Sequence, residues 1–156
     1  FFLSQGTAFC TGRGELVEER PPLPVCPVCL IKPAAGLSTP EVYRALGLQP
    51  GDELAGREPL ELLTEFERDP LTASYVNDLE SPALSLMPKL AELRAELEAL
   101  DFDAVMMSGS GSTFFCVGKP KGARSGWQEA IRTLYEAELY ETSFCGRRGD
   151  RLWYNE

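Results

Sequence analysis

Two apolar runs, DAVMM at 103–107 and TFFCV at 113–117, enclose five residues made only of serine and glycine, Ser108 to Ser112. Such a pair of runs predicts two strands joined as a hairpin. In SPALSLMPKLAELRAELEAL (81–100), Leu86, Leu90, Leu93, Leu97 and Leu100 fall on one stripe, which predicts a long helix. Ser81 would cap it, Pro82 would open it and Pro88 would kink its first turns. A shorter amphipathic helix is expected at PLELLTEFER (59–68), and another over about 125–138. LSTPEVYRALGL (37–48) begins with Ser38 or Thr39 as cap, followed by Pro40 and Glu41, and Gly47 ends it. VCLIK (28–32) reads as a buried strand, YETSFCG (140–146) and RLWYN (151–155) as final strands, and residues 1–19 as two or three short strands between glycine turns. Four prolines within RPPLPVCP (20–27) suit neither helix nor central strand, and a domain boundary is expected there. The order strand, helices, strand, strand, helix, strand predicts an α+β sandwich of the split β-α-β type, with helices on one face of an antiparallel sheet.

With 156 residues, 44% of them hydrophobic, the chain can bury one good core. Its formal charge of −9 repels nucleic-acid phosphates and anionic membranes, so neither is an expected partner. Prolines and charges interrupt every apolar run before the ~18 residues of a membrane helix. Histidine is absent, which removes Ser/His and Cys/His nucleophile systems and the commonest neutral metal ligand. Five cysteines without regular spacing point to reduced thiols and a reducing compartment. The CPVC run, Cys26 to Cys29, has no second pair and no histidine to complete a zinc site, and extended backbone would turn its two sulfurs apart. The chain opens on the apolar FFLS without methionine, and is read as cut from something longer.

The serine-glycine loop has two readings. Successive small residues can turn several main-chain N–H groups toward one point and cradle a phosphate without formal positive charge. They can equally make a flexible tight hairpin. No Lys-Ser/Thr follows as in a Walker loop, and Phe114 stands where a dinucleotide fingerprint needs its third glycine. Since the following residues continue as strand, a helix-terminus phosphate site is disfavoured.

MSGSGSTFF resembles the third motif of the GHMP superfamily of small-molecule kinases. GTAFCTGRGELVE, KPAAGLSTPEVYRAL, VNDLESPAL and ETSFCGRRGDRLWY resemble, in the same order, segments of the plant and cyanobacterial branch that phosphorylates a cytidine-diphosphate-linked methylerythritol for isoprenoid precursors. The resemblance implies a ferredoxin-like C-terminal domain at residues 25–156, preceded at 1–20 by the last strands of an N-terminal domain. It also implies ATP and Mg²⁺ as cofactors, with phosphoryl transfer to the 2-hydroxyl of the cytidine-diphosphate methylerythritol. Gly109, Ser110, Gly111 and Ser112 would shape the phosphate end of the cleft. Thr39 and Tyr43 would lie against the cytidine, and Gly6 and Thr7 would line the substrate side. Arg13 could approach a substrate phosphate, or be a solvated turn residue.

The alternatives are a helix cap for Thr39 and a partly buried core tyrosine for Tyr43. Asn77 to Glu80 are adequately explained as capping the next helix. A bulky residue at Gly111 is expected to cut activity by closing the nest, not by unfolding. In the resembling family the catalytic aspartate and the ATP loop lie upstream of the position of Phe1. No catalytic residue is therefore assigned within the 156 residues, which alone are expected to bind weakly and catalyse nothing. Two rival functions remain: another GHMP small-molecule kinase, or a non-catalytic ferredoxin-like binding module. A plastid address is expected, with cyanobacterial cytoplasm as the alternative.

Overall fold

The computed structural model describes residues 6–49, 52, 58–122 and 125–144. The expected strand at RLWYN and the thiol of Cys145 lie outside the described residues. A short antiparallel hairpin comes first, formed by β1 (Ala8–Thr11) and β2 (Leu16–Glu19). Residues 20–26 then carry no regular structure, as their prolines dictate. The rest builds on a four-stranded sheet of β3 (Pro27–Lys32), β4 (Ala104–Met107), β5 (Phe114–Val117) and β6 (Glu138–Ser143). The spatial order is β4-β5-β3-β6 and every pair is antiparallel. This is the ferredoxin-like arrangement: α1 (Thr39–Leu46), α2 (Pro59–Arg68), α3 (Glu80–Leu86) and α4 (Pro88–Ala99) lie between β3 and β4, and α5 (Trp127–Tyr135) lies between β5 and β6.

One face of the sheet presents Cys29, Ile31, Phe114 and Cys116, which form a single core with Val42 of α1, Ala83 of α3, Leu90, Leu93 and Leu97 of α4, and Ile131 and Tyr135 of α5. The other face is also apolar, with Val28, Leu30, Phe115 and Val117 on β3 and β5. That face therefore needs a cover too. Tyr75 packs edge-on against Phe115, with ring centroids 5.6 Å apart, and Phe66 of α2 packs against Tyr75 at the same distance. Phe66 also meets Phe144 just beyond β6. Helices on one face only is thus corrected: α2 belongs to the second layer, because the continuous apolar runs of β3 and β5 leave both faces to be buried.

The single long helix is corrected as well. Residues 80–99 form two helices separated at Met87, whose extended backbone lets Pro88 open α4 instead of kinking a continuous helix. The break takes Leu86 off the stripe. It is 47% exposed, whereas Leu90, Leu93 and Leu97 are fully buried. Ser81 lies inside α3 and does not cap it; the cap position is Leu79. Among the described residues no helix is long and apolar enough to cross a membrane.

Candidate functional site

The hairpin joining β4 to β5 turns through Ser108–Thr113. The Ser108 N–H donates to the Thr113 carbonyl at 2.8 Å, and the Gly111 N–H donates to the Ser108 carbonyl at 3.0 Å. Gly109 and Gly111 both hold positive φ, +56° and +87°, the region a side chain disfavours. The main-chain N–H groups of Gly109, Ser110 and Ser112 donate to no group among the described residues. Ser112 is buried, while Ser108 and Gly109 are exposed, so the loop runs from open solvent into the protein over four residues. Three unspent donors on one short turn suit an anion. They do not suit a cation.

Two other segments hold this turn. The Thr39 hydroxyl, at the first position of α1, lies 2.8 Å from the Ser110 hydroxyl. The expected helix cap is therefore not what Thr39 does, and Ser38, the cap residue, makes no side-chain cap bond either. Tyr43 stands four residues after Thr39, one turn along the same face of α1. Its side chain is 58% exposed, and the buried residue of that helix is its neighbour Val42, so a core role for Tyr43 is excluded.

The second holding segment is Asn77 to Glu80. Asn77 Nδ2 donates to the carbonyls of both Met107 and Gly109, each at 2.8 Å. Its Oδ1 accepts the Leu79 N–H at 3.1 Å. Glu80 Oε2 accepts the Met107 N–H at 2.7 Å, and Glu80 Oε1 accepts from Arg94 Nε at 2.8 Å. Arg94 also lies 2.8 Å from Glu98, one turn further along α4. From the sequence this segment is expected only to cap the next helix. Asn77 Oδ1 closes a short turn on the Leu79 N–H ahead of α3, whose cap position carries no side-chain bond, so the expected capping is corrected. The amide nitrogen of Asn77 works on the loop, 30 and 32 residues away, and no local pattern encodes a partner so distant.

A cleft of about 540 Å³ opens beside this clamp, lined by Tyr75, Asn77, Glu80, Arg94 and Met106 among others. A Cβ added at Gly111 would meet Met107 Sδ at 2.7 Å and Leu37 Cδ1 at 3.4 Å. A side chain there would press into the protein's own packing and not into the nest, which corrects the reason expected for that position's sensitivity. Gly6 and Thr7 lead into the separate two-stranded sheet, where the Thr7 carbonyl accepts the Arg20 N–H at 3.0 Å. Arg13 is exposed in the turn of that hairpin, with its N–H directed to Glu15 Oε2.

The buried thiols among the described residues belong to the fold. Cys29 and Cys116 face each other across β3 and β5, and burial raises both, Cys29 from its ordinary 9.0 to about 11. Cys26 is buried too and burial raises it, whereas Cys10 is exposed. Among the described residues no group of three or more Cys, Asp or Glu side chains is gathered to hold a metal ion.

Residues 60–137 match the family described as GHMP kinases C terminal. Over the whole chain, the sequence is 39% identical to a chloroplastic 4-diphosphocytidyl-2-C-methyl-D-erythritol kinase of Oryza sativa subsp. japonica, of which it spans 39%. It is 44% identical, over 99% of its length, to the kinase of the same name from Protochlamydia amoebophila, of which it spans 46%. The chain thus spans less than half the length of these curated relatives. A crystal structure of 4-(cytidine 5'-diphospho)-2C-methyl-D-erythritol kinase superposes on 89% of the chain with a TM-score of 0.66 and 36% identity, and the chain covers 50% of it. The homoserine kinase of Cytophaga hutchinsonii superposes with a TM-score of 0.61 at 13% identity, a likeness of fold alone.

Proposed function

The chain belongs to the GHMP kinase family, and from that premise we propose that it supplies the C-terminal domain of a 4-diphosphocytidyl-2-C-methyl-D-erythritol kinase. The enzyme transfers the γ-phosphoryl group of ATP to the 2-hydroxyl of the cytidine-diphosphate methylerythritol. Residues 1–20 belong to the end of the preceding domain and 25–156 to the C-terminal one. The separate hairpin sheet and the irregular stretch between them support that division.

One observation carries the reading: the Thr39–Ser110 hydrogen bond joins the helix that bears Tyr43 to the loop whose Gly109, Ser110 and Ser112 amides are unspent among the described residues. Phosphoryl transfer depends on positioning and on neutralising charge at the transferring group. The turn is already held by Thr39 and Asn77, so its N–H groups can receive phosphate oxygens with little reorganisation. Tyr43, exposed one turn from that loop, offers a ring face to the cytosine. Mg²⁺, when bound, neutralises phosphate charge. The loop's donors fit the phosphate and not the metal, so the loop would hold the phosphate and would not supply ligands to the metal. Glu80, the carboxylate that touches the end of β4, is committed to the Met107 N–H and to Arg94. Glu80 is accordingly not assigned as the base that takes the hydroxyl proton. Gly6 and Thr7 are kept as substrate-side residues on the strength of the family resemblance alone.

The plastid stroma is the compartment proposed, supported by the chloroplastic relatives of rice and Arabidopsis, with a bacterial cytoplasm as the alternative. The test of function is direct. The enzyme carrying this chain is incubated with ATP, Mg²⁺ and the cytidine-diphosphate methylerythritol, and ³¹P NMR follows a new phosphomonoester formed with ADP. Absence of that product, or phosphorylation of homoserine in its place, overturns the reading.

A further inference from the structure

Asn77 does two separable things with one side chain. Its oxygen accepts the Leu79 N–H in the turn ahead of α3, while its nitrogen donates to the Met107 and Gly109 carbonyls. We propose that Asn77 is a positioning residue for phosphoryl transfer, holding the serine-glycine turn so that its carbonyls face away from the phosphate and its amides face toward it. The inference rests on the kinase reading given above.

Successive peptide units in a tight turn can flip, exchanging the directions of an N–H and the neighbouring C=O. A flip of the unit between Gly109 and Ser110 would remove one donor from the phosphate and put a carbonyl dipole in its place. The Gly109 carbonyl is the acceptor that Asn77 holds. At the other end, the peptide units on both sides of Met107 are fixed, its carbonyl by Asn77 and its N–H by Glu80, which is itself oriented by Arg94. One short segment, 77–80, thereby fixes the strand end and the first half of the turn. Thr39 meets the second half at Ser110. Glycine at 109 leaves the turn free to adopt its geometry, and the Asn77 amide selects one of the conformations that this freedom allows.

The two roles come apart in Asn77→Asp, which keeps an oxygen for Leu79 but cannot donate, and which sets a carboxylate against two carbonyls. In the enzyme carrying this chain the variant should keep its folded circular dichroism. Its KM for ATP should rise by about tenfold or more, with a smaller change in KM for the cytidine substrate. Amide hydrogen exchange should quicken in 108–113 and stay unchanged in α3. Asn77→Ser keeps an oxygen for Leu79 without a half-buried charge, and serves should the aspartate variant fail to fold; the same pattern is expected of it. Wild-type KM for ATP in a folded variant overturns the proposal, as does loop exchange that does not change. If the wild-type enzyme does not phosphorylate the cytidine substrate at all, the functional reading falls by itself. The exchange measurement then decides whether Asn77 holds the turn.

Discussion

The hydroxyls of Thr39 and Ser110 are 2.8 Å apart although 71 positions separate them in sequence. Through this contact the N-terminus of α1 and the β4–β5 turn share one surface, with Tyr43 one helical turn away. Thr39→Val keeps the shape and removes the oxygen. Because both residues are at least partly solvated, the bond is worth about 0.5–1.5 kcal/mol. Its loss should leave the melting temperature within a few degrees and raise KM for ATP by roughly three- to tenfold, while Thr39→Ser should be near wild type. Steady-state kinetics on the two variants distinguishes a hydroxyl contact from a helix cap, because loss of a cap would appear in stability first.

Gly109 and Gly111 should respond differently to alanine. At Gly109 the space around a Cβ is open, so the cost is that of the left-handed backbone, roughly 1 kcal/mol. At Gly111 the same strain is joined by contact with Met107 Sδ at 2.7 Å, and the total should be about 2–3 kcal/mol. Urea denaturation of the two variants should place Gly111→Ala clearly below Gly109→Ala, and equal midpoints would contradict the packing described for Met107.

Tyr43 is 58% exposed, so Tyr43→Ala should leave stability unchanged. If its ring stacks on the cytosine, the variant loses about 1–3 kcal/mol of binding, which is roughly five- to 150-fold in KM for the cytidine substrate. Tyr43→Phe should keep most of that. A variant that weakens ATP instead would move Tyr43 to the other side of the site.

The pattern of apolar positions revealed the split β-α-β order, the hairpin and the helical stretches, with α3 and α4 read as one, because β3, β4 and β5 are short apolar runs and the leucines of α4 repeat at helical spacing. It did not reveal that α2 crosses to the second face. That follows from which of two apolar faces an isolated helix covers, and Phe66 and Tyr75 meet only after the sheet exists. Pro88 was legible as an interruption, but whether a proline kinks a helix or starts another depends on the backbone of Met87. The glycine loop and Thr39 were legible as separate features, while their contact was not. The sequence around Asn77 suggests a helix cap, which α3 lacks, and hides its bonds to the loop, because these depend on a fold that brings residues 77 and 107–109 together.

Burial holds the Cys29 thiol neutral, with the nearby Glu141 adding to the rise and Arg132 opposing it. A folded-state value raised from 9.0 to about 11 means that between those values the unfolded chain has released a proton the native state retains. Stability is therefore fully present below pH 9.0 and declines as pH rises toward about 11, and Cys116, raised in the same direction, adds to the slope. In reducing buffer, the urea midpoint should fall between about pH 8 and about pH 10. A midpoint that rises over this range would contradict the burial of the pair.

The central claim is that the turn at 108–112 receives phosphate through its own amides. The most direct measurement is an NMR titration of the isotope-labelled enzyme carrying this chain with ATP and Mg²⁺, following the amide resonances of Gly109, Ser110 and Ser112. Saturable downfield shifts of these three, at the concentration that half-saturates catalysis, are the predicted result. Unmoved resonances during active turnover would contradict it.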